Sequence, residues 1–339
     1  MAEITPTVKF EKPALPTLWL DTSVVIKLTK LEKGEALQDI EVQRCKHLRS
    51  LVHDLTLSGK LLCPESDQEE EYAAERMDDD ISGMFAGLSL GISLAHRQGI
   101  YDQHVFKGME AYAKNLETIF LPSRTYFHGD PVRRLEEARR ERFIVSIAPL
   151  KSPEILRRRA KSKNNVSQGW ERLRRELVAR GQTYEAQLAV EQRGDAYAIY
   201  ESVRKFETSL ISSRPDFWGY MATAGPLHYR HYWLTLKGEP PDWKGVFRFF
   251  ASSYFAELPI PYISSRLIAE LLTGNESIAP SDPMDVDLLS VALPVADHVL
   301  TDRRMELRVK KLGLDAKCGT EVYSMSTIDT LFDRLEKLK

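Results

Sequence analysis

The chain has 339 residues, of which 43% are hydrophobic and 28% are charged, and its formal net charge is −2 at pH 7. These values are typical of a globular protein with one large domain or two smaller ones. No stretch approaches the length of a membrane span, and the three cysteines lie far apart without a zinc or disulfide pattern, so we expect a cytoplasmic protein with no membrane partner.

The first predicted strand ends in an acidic residue. Thr17 to Leu20 is an apolar run, and it is followed by Asp21, Ser23 and the apolar segment 24–26. This order is typical of a buried strand that leads into a helix. The preceding residues, 1–16, contain three prolines and are predicted to be a loose leader.

A long helix and a second strand follow. Apolar residues recur at helical spacing from Glu41 to Leu57, and Lys60 to Cys63 is predicted to be a strand that Pro64 closes. The next segment, Glu65 to Asp80, is strongly acidic. Its composition by itself predicts the solvated start of a helix.

Residues 131–180 form a basic block in a chain that is close to neutral, with 15 Lys and Arg against 6 Asp and Glu. The helix predicted from Pro131 to Phe143 can pair its charges internally, as a solvated helix does. In the segment 152–163, few acids accompany the basic residues Arg157, Arg158, Arg159 and Lys163. Either a solvated face or a contact with nucleic-acid phosphates explains that segment.

Residues 217–255 are rich in aromatic side chains with basic residues between them. Platforms that stack unpaired bases have this composition. An ordinary helical core has it too and is commoner, so both interpretations stay open.

The stretch Ser281 to Met305 is predicted to be a helix, a short loop and a strand, with acids at both ends. Asp285 opens an apolar run that Pro294 stops or kinks. His298 to Thr301 is the predicted strand, and Asp302 lies at its carboxyl end. Ligands in open α/β sheets bind at such ends, and two carboxylates there invite a divalent cation. The alternative is that these aspartates cap a helix and begin a turn.

The blocks WLDTS and DVDLLSVALPVADHVLTDRRM together resemble the PIN-like nuclease family. That family has an early strand ending in Asp plus Ser or Thr, a middle acid, and a late Asp followed by a strand ending in Thr-Asp. The resemblance implies an α/β fold with a mostly parallel central sheet flanked by helices. Residues 15–80 and 255–339 would form the nuclease core, and residues 81–254 a large helical, basic and aromatic insertion or cap.

The resemblance also implies the site. The catalytic and metal-binding residues would be Asp21, Glu69, Asp285 and Asp302, with Asp297 as a further metal ligand. For the middle acid, Glu69 is preferred because it lies about one turn into the helix expected after the second strand; its competitors are Glu65, Asp67, Glu70 and Glu71. The residues expected to contact substrate are Ser23, Arg157, Arg158, Arg159, Lys163 and Arg303.

Clustered carboxylates repel one another unless a cation neutralises them, so the implied cofactor is Mg²⁺ or Mn²⁺. The implied activity is endonucleolytic hydrolysis of phosphodiester bonds in RNA or other single-stranded nucleic acid, with RNA favoured over DNA. A toxin or defence role and a regulatory protein partner are compatible with it. Two alternatives stay open: a non-catalytic nucleic-acid-binding or partner-binding protein with a decayed acidic site, and a nucleotide or phosphate-ester hydrolase of another α/β type.

Overall fold

The structure is a computed structural model, which describes residues 4–35, 38–68, 78–141, 153–211 and 217–339. At residues 78, 153–160, 162–163, 206–211 and 217–224 it describes the backbone alone. The strands are β1 Thr7–Phe10, β2 Leu18–Leu20, β3 Thr118–Leu121, β4 His298–Leu300 and β5 Glu321–Tyr323. The helices are α1 Thr22–Glu32, α2 Asp39–Leu57, α3 Asp78–Ser89, α4 Arg97–Ala113, α5 Pro131–Glu141, α6 Pro153–Ala179, α7 Tyr184–Ile211, α8 Phe217–Thr235, α9 Trp243–Phe250, α10 Ser253–Ala256, α11 Pro259–Thr273, α12 Asp282–Val295, α13 Arg303–Lys311, α14 Leu314–Cys318 and α15 Ile328–Glu336. Within the described residues, no helix has both the length and the apolar character needed to cross a membrane.

The main sheet contains three parallel strands in the order β2–β4–β5. On the other side of β2, Thr17 forms a parallel bridge with Leu62, and beyond it Glu65 forms a parallel bridge with Ser93. The sheet therefore extends from the central β2 in both directions. Chain segments 62–65 and 93–94 lie on one side of β2, and the last two strands lie on the other.

β2 is short but buried on both faces, because Leu18, Trp19 and Leu20 are each at most 2% exposed. A continuous apolar strand is what a parallel sheet with helices on both faces requires. Leu18 and Leu20 belong to one apolar cluster with residues of α1, α2, α3 and α15. Trp19 points to the alternate face, since successive side chains of a strand point to opposite faces.

The chain divides into two compact units. One contains the main sheet and comprises Phe10–Ile100, Pro122–Arg175 and Glu276–Lys339; the other comprises Met1–Lys9, Tyr101–Leu121 and Glu176–Asn275. In the second unit, α7 packs against α8 and α11.

Most of the aromatic segment with described side chains is core of the second unit, which favours the helical-core interpretation there. The buried aromatic residues are Tyr229, Trp233, Phe249, Phe250, Tyr254 and Phe255. Trp243 and Phe247 are partly exposed, and their rings stack with centroids 5.9 Å apart. The side chains of Phe217, Trp218 and Tyr220 lie outside the described residues.

The mixed α/β architecture with a parallel sheet is confirmed, but several boundaries differ from the prediction. The expected loose leader contains β1, which pairs with β3 in a separate two-stranded sheet. The bridge between Glu65 and Ser93 continues the sheet past the acidic segment. The division into a nuclease core (15–80 and 255–339) and an insertion or cap (81–254) stays a prediction. Pro294 lies in the last turn of α12, which ends one residue later.

Candidate functional site

Asp21 is a buried carboxylate at the carboxyl end of β2. It is 3% exposed and forms the N-cap of α1. Its Oδ1 accepts a hydrogen bond from the Ser23 backbone N–H at 2.8 Å, and its Oδ2 accepts one from the Thr301 hydroxyl at 2.9 Å. Burial raises the pKa of Asp21; the bonds from Ser23 and Thr301 oppose this rise, and the negative charge of Asp302 adds to it.

Asp302 follows β4 after one intervening residue, Thr301. It is the N-cap of α13, where its Oδ1 accepts hydrogen bonds from the backbone N–H groups of Arg304 at 2.6 Å and Met305 at 3.2 Å. Burial is the main cause of the raised pKa values of Asp21 and Asp282, and the charge of Asp302 adds to both. Asp302 is therefore a helix cap that also lies close to other carboxylates.

The ends of β2 and β4 flank a crevice. From β2 the chain continues to segment 62–65 on one side, whereas β4 continues to β5 on the other. Where the connections of adjacent parallel strands leave in opposite directions, a crevice opens outside their carboxyl ends, and ligands bind there in open α/β sheets. The Asp21 backbone N–H donates to the Leu300 carbonyl oxygen at 2.9 Å, so the two strand ends lie side by side. Asp21 and Asp302 thus border this crevice.

The first turn of α12 brings further acids to the same edge. Asp282 is buried and lies 3.5 Å from Arg308 and 3.6 Å from Arg304, both on α13, which fixes this end of α12 beside Asp302. Asp285 is 3% exposed and lies about one helical turn further along α12. The edge that carries the two strand-end aspartates therefore also carries Asp285.

Asp282 and Thr301 were absent from the predicted site. Asp282 is neutralised by Arg304 and Arg308, which also contact Glu276, so it joins α12 to α13. The spacing of these two arginines, four residues apart on one helix face, was the available signal. Thr301 holds the Asp21 carboxylate through its hydroxyl, and no local pattern indicates that bond.

Asp297 lies at the opposite end of β4 from Asp302. Its carboxylate accepts the Thr17 backbone N–H at 2.9 Å and pairs with Lys12 at 3.4 Å. Five residues of extended strand span roughly 16 Å, so the structure does not bring Asp297 to the crevice. Its contacts join the residue before β2 to the residue before β4.

The middle acid remains a prediction. Glu69, Glu70 and Glu71 lie outside the described residues. Of the competitors that the structure describes, Glu65 pairs in the sheet with Ser93, and Asp67 accepts the Arg97 backbone N–H at 2.7 Å.

The residues expected to contact substrate fall into two groups. Ser23 is partly buried in the first turn of α1, and Arg303 is exposed in the first turn of α13, directly after Asp302. The second group lies on α6, whose backbone is helical there and whose side chains are outside the described part of the chain. Its members are Arg157, Arg158, Arg159 and Lys163.

α6 is attached to the loop that precedes α12. Glu171 accepts the Ile278 backbone N–H at 3.0 Å and pairs with Arg174 at 2.8 Å. The bonds from Arg174, and then from Ile278, hold the pKa of Glu171 well below its usual range. Lys163 precedes Glu171 by eight residues, or about 12 Å of helix. The basic segment is therefore an extension of a helix that is fixed near the start of α12.

The donor chemistry suits a hard divalent cation. Among the described residues, no group of three or more His, Cys, Asp or Glu is arranged to hold a metal ion. Mg²⁺, however, is usually bound through one or two carboxylates, with water and substrate phosphate oxygens at its other positions. Asp21 and Asp302 supply such a pair, and a buried carboxylate with a raised pKa gains most from a nearby positive charge.

A scan of the chain against protein-family models, a search of curated proteins and a search of solved structures each found no match. Function is therefore inferred from the residues and the geometry of the crevice.

Proposed function

We propose that this protein is a PIN-like endonuclease that depends on Mg²⁺ or Mn²⁺ and cleaves single-stranded nucleic acid, with RNA favoured as substrate. The proposal rests on one observation: Asp21 and Asp302 lie close together at the carboxyl ends of two adjacent parallel strands. Two neighbouring carboxylates, one of them buried, make a negative site that a divalent cation neutralises. The segments that hold them are the two blocks that resemble the family.

Asp21 and Asp302 are the described pair that would hold the cation, and Asp285 and Glu69 remain the predicted further ligands. A bound cation of this kind activates a water for attack and stabilises negative charge on phosphoryl oxygens. The Thr301 hydroxyl and the first turn of α1 fix both oxygens of the Asp21 carboxylate. This carboxylate is therefore oriented before any ligand arrives, which reduces the reorganisation that catalysis requires.

Positive charge near the crevice supports a polymeric phosphate substrate. Arg303 is exposed and adjacent to Asp302 in the chain, so its guanidinium can contact a phosphate that flanks the one being cleaved. The basic segment of α6 offers further phosphate contacts. Such contacts position a strand and carry no sequence information by themselves.

The test is incubation of the wild-type protein with end-labelled RNA and single-stranded DNA of matched sequence in Mg²⁺, Mn²⁺ or EDTA. We expect RNA fragments with either cation and none in EDTA. Asp302→Asn should reduce cleavage by about 100-fold or more, because it removes a ligand that neutralises the cation. Asp297→Asn, at the other end of the same strand, is the matched control and should cleave at the wild-type rate.

Each other outcome identifies an alternative. Binding of nucleic acid without cleavage in every cation would indicate a decayed site. Hydrolysis of mononucleotides but not of polymers would indicate another kind of phosphate-ester hydrolase. Cleavage by Asp302→Asn at the wild-type rate would refute the proposed site.

A further inference from the structure

A cleft of about 190 Å³ lies at the same edge of the sheet as the strand-end aspartates. One wall is a single face of α12, because its residues recur at helical spacing: Met284, Asp287, Leu288 and Val291. The facing wall consists of the loop after segment 62–65, the two residues before α4 and the first two residues of α4: Ser66, Asp67, Ala95, His96, Arg97 and Gln98.

The cleft is fixed to the strand that ends in Asp21. Gln68 is buried and donates through Nε2 to the Leu20 carbonyl oxygen at 2.7 Å, and Trp19 Nε1 donates to Ser66 Oγ at 3.2 Å. Neighbouring strands lie about 4.8 Å apart, so the wall that follows segments 62–65 and 93–94 is roughly one to two strand spacings from β2, the strand that ends in Asp21. At a stacked rise of about 3.4 Å per nucleotide, this distance corresponds to one to three nucleotides.

The lining combines an apolar floor with a charged rim. Leu288 and Val291 are buried and form the floor. At the rim, Arg97 pairs with Asp287 at 2.9 Å, and the Asp67 carboxylate accepts the Arg97 backbone N–H. The volume is below the range of about 300–1,000 Å³ that is typical of pockets for drug-sized ligands. The cleft therefore suits one flat ring with apolar faces and polar edges.

We propose that this cleft binds the base of an unpaired nucleotide close to the phosphate that is cleaved between Asp21 and Asp302. The proposal rests on the proposed nuclease function and extends it to a base-binding subsite. Asp287 presents an acceptor to the edge of the base, and Arg97 presents donors and a planar cation. Because a base enters such a cleft only when it is out of a duplex, the substrate is single-stranded.

The proposal is tested by binding rather than by cleavage, so that its failure can be told apart from failure of the nuclease proposal. A labelled RNA pentanucleotide and its fully abasic counterpart are titrated in EDTA against the full-length protein. Ala95→Leu fills the cleft and should weaken binding of the base-containing RNA by about tenfold, the lower range for loss of one stacked base. It should leave binding of the abasic strand unchanged.

Two further variants control for folding. Gly99→Ala adds a methyl group where nothing lies within 4 Å, four residues after Ala95 and in the first turn of α4, and should bind both strands as the wild type does. Asp287→Asn keeps the shape of the cleft and should also weaken binding of the base-containing strand alone. If Ala95→Leu and Asp287→Asn bind both strands as the wild type does, or lose affinity for both equally, the base-binding proposal is overturned. It is also overturned if a nucleoside monophosphate competes as well as the pentanucleotide, since the cleft would then serve free nucleotides.

Discussion

Replacement of Asp302 by Asn separates its two roles, as a helix cap and as a charge beside Asp21. Asn caps a helix about as well as Asp, so loss of the cap should change the free energy of unfolding by a few tenths of a kcal/mol at most. Loss of the charge relieves its repulsion of Asp21. The repulsion from Asp302 raises the pKa of Asp21 by less than the hydrogen bond from Ser23 or the one from Thr301 lowers it. The relief is therefore expected to be small, and it should stabilise rather than destabilise the fold in the absence of a cation.

The effect on cation binding is expected to be larger. A cation that binds the folded state alone stabilises it by about 2.7 kcal/mol at 100 times its Kd. For a folding unit of about 200 residues, this raises the midpoint of thermal unfolding by about 5–10 °C. We expect that rise for the wild-type protein in Mg²⁺ or Mn²⁺ relative to EDTA. For Asp302→Asn the rise should fall below about 2 °C, although its midpoint in EDTA should match that of the wild type within about 2 °C.

The assay is thermal unfolding followed by circular dichroism, with Asp297→Asn as the matched control. That variant loses the ion pair with Lys12, whereas its amide oxygen still accepts the Thr17 N–H, so its midpoint in EDTA should fall slightly. The rise caused by the cation should nevertheless be the same as in the wild type. The reasoning is refuted if Asp302→Asn keeps the full rise, or if the wild type shows none at millimolar cation.

Three further predictions concern charge. Because the folded pKa of Asp21 is raised, chiefly by burial, its contribution to stability is present below the unfolded value of 3.8 and is lost as the pH rises through the folded value. Asp21→Asn in EDTA should therefore stabilise the fold at pH 7, and the gain should vanish near pH 3 in urea unfolding. The pKa of Glu171 is lowered, so its contribution to folding stability is present above the unfolded value of 4.5 and is lost as the pH falls through the folded value. Glu171→Gln should therefore be less stable than the wild type at pH 7. A difference in stability that persists unchanged at pH 1 would contradict this. The third prediction concerns α6, where the residues to change are Arg157, Arg158, Arg159 and Lys163. Each phosphate contact removed should lower the slope of log affinity for RNA against log salt concentration by about one. An unchanged slope would show that the segment is a solvated face.

The two strand-end aspartates could be predicted because the pattern that carries them is local. An apolar run followed by an acid indicates a buried strand and the carboxyl end of that strand, and parallel strands place such ends at one edge. The bond from Thr301 to Asp21 could not be predicted, since it joins residues 280 positions apart. The pairing of β1 with β3 is equally non-local, and prolines near β1 gave a local signal for a loop instead.

The sequence also predicts different positions for Asp297 and Asp302, the two acids that flank β4. Asp297 precedes β4 and Asp302 follows it, so chain direction alone places them at opposite edges. Composition alone would group them, because both are aspartates within six residues. Direction along the strand was therefore the more informative signal.

Two of the buried aspartates at this edge, Asp21 and Asp282, make different use of their charge. Asp282 lies beside Arg304 and Arg308, and both arginines oppose the rise of its pKa. For Asp21, the charged neighbour that shifts its pKa is Asp302, which raises it further. An Asn at position 21 would accept the same N–H bond from α1 without burying a charge beside another one. As a cap alone, Asp21 would thus be the less stable choice, which supports the proposal that both carboxylates share a cation in the crevice.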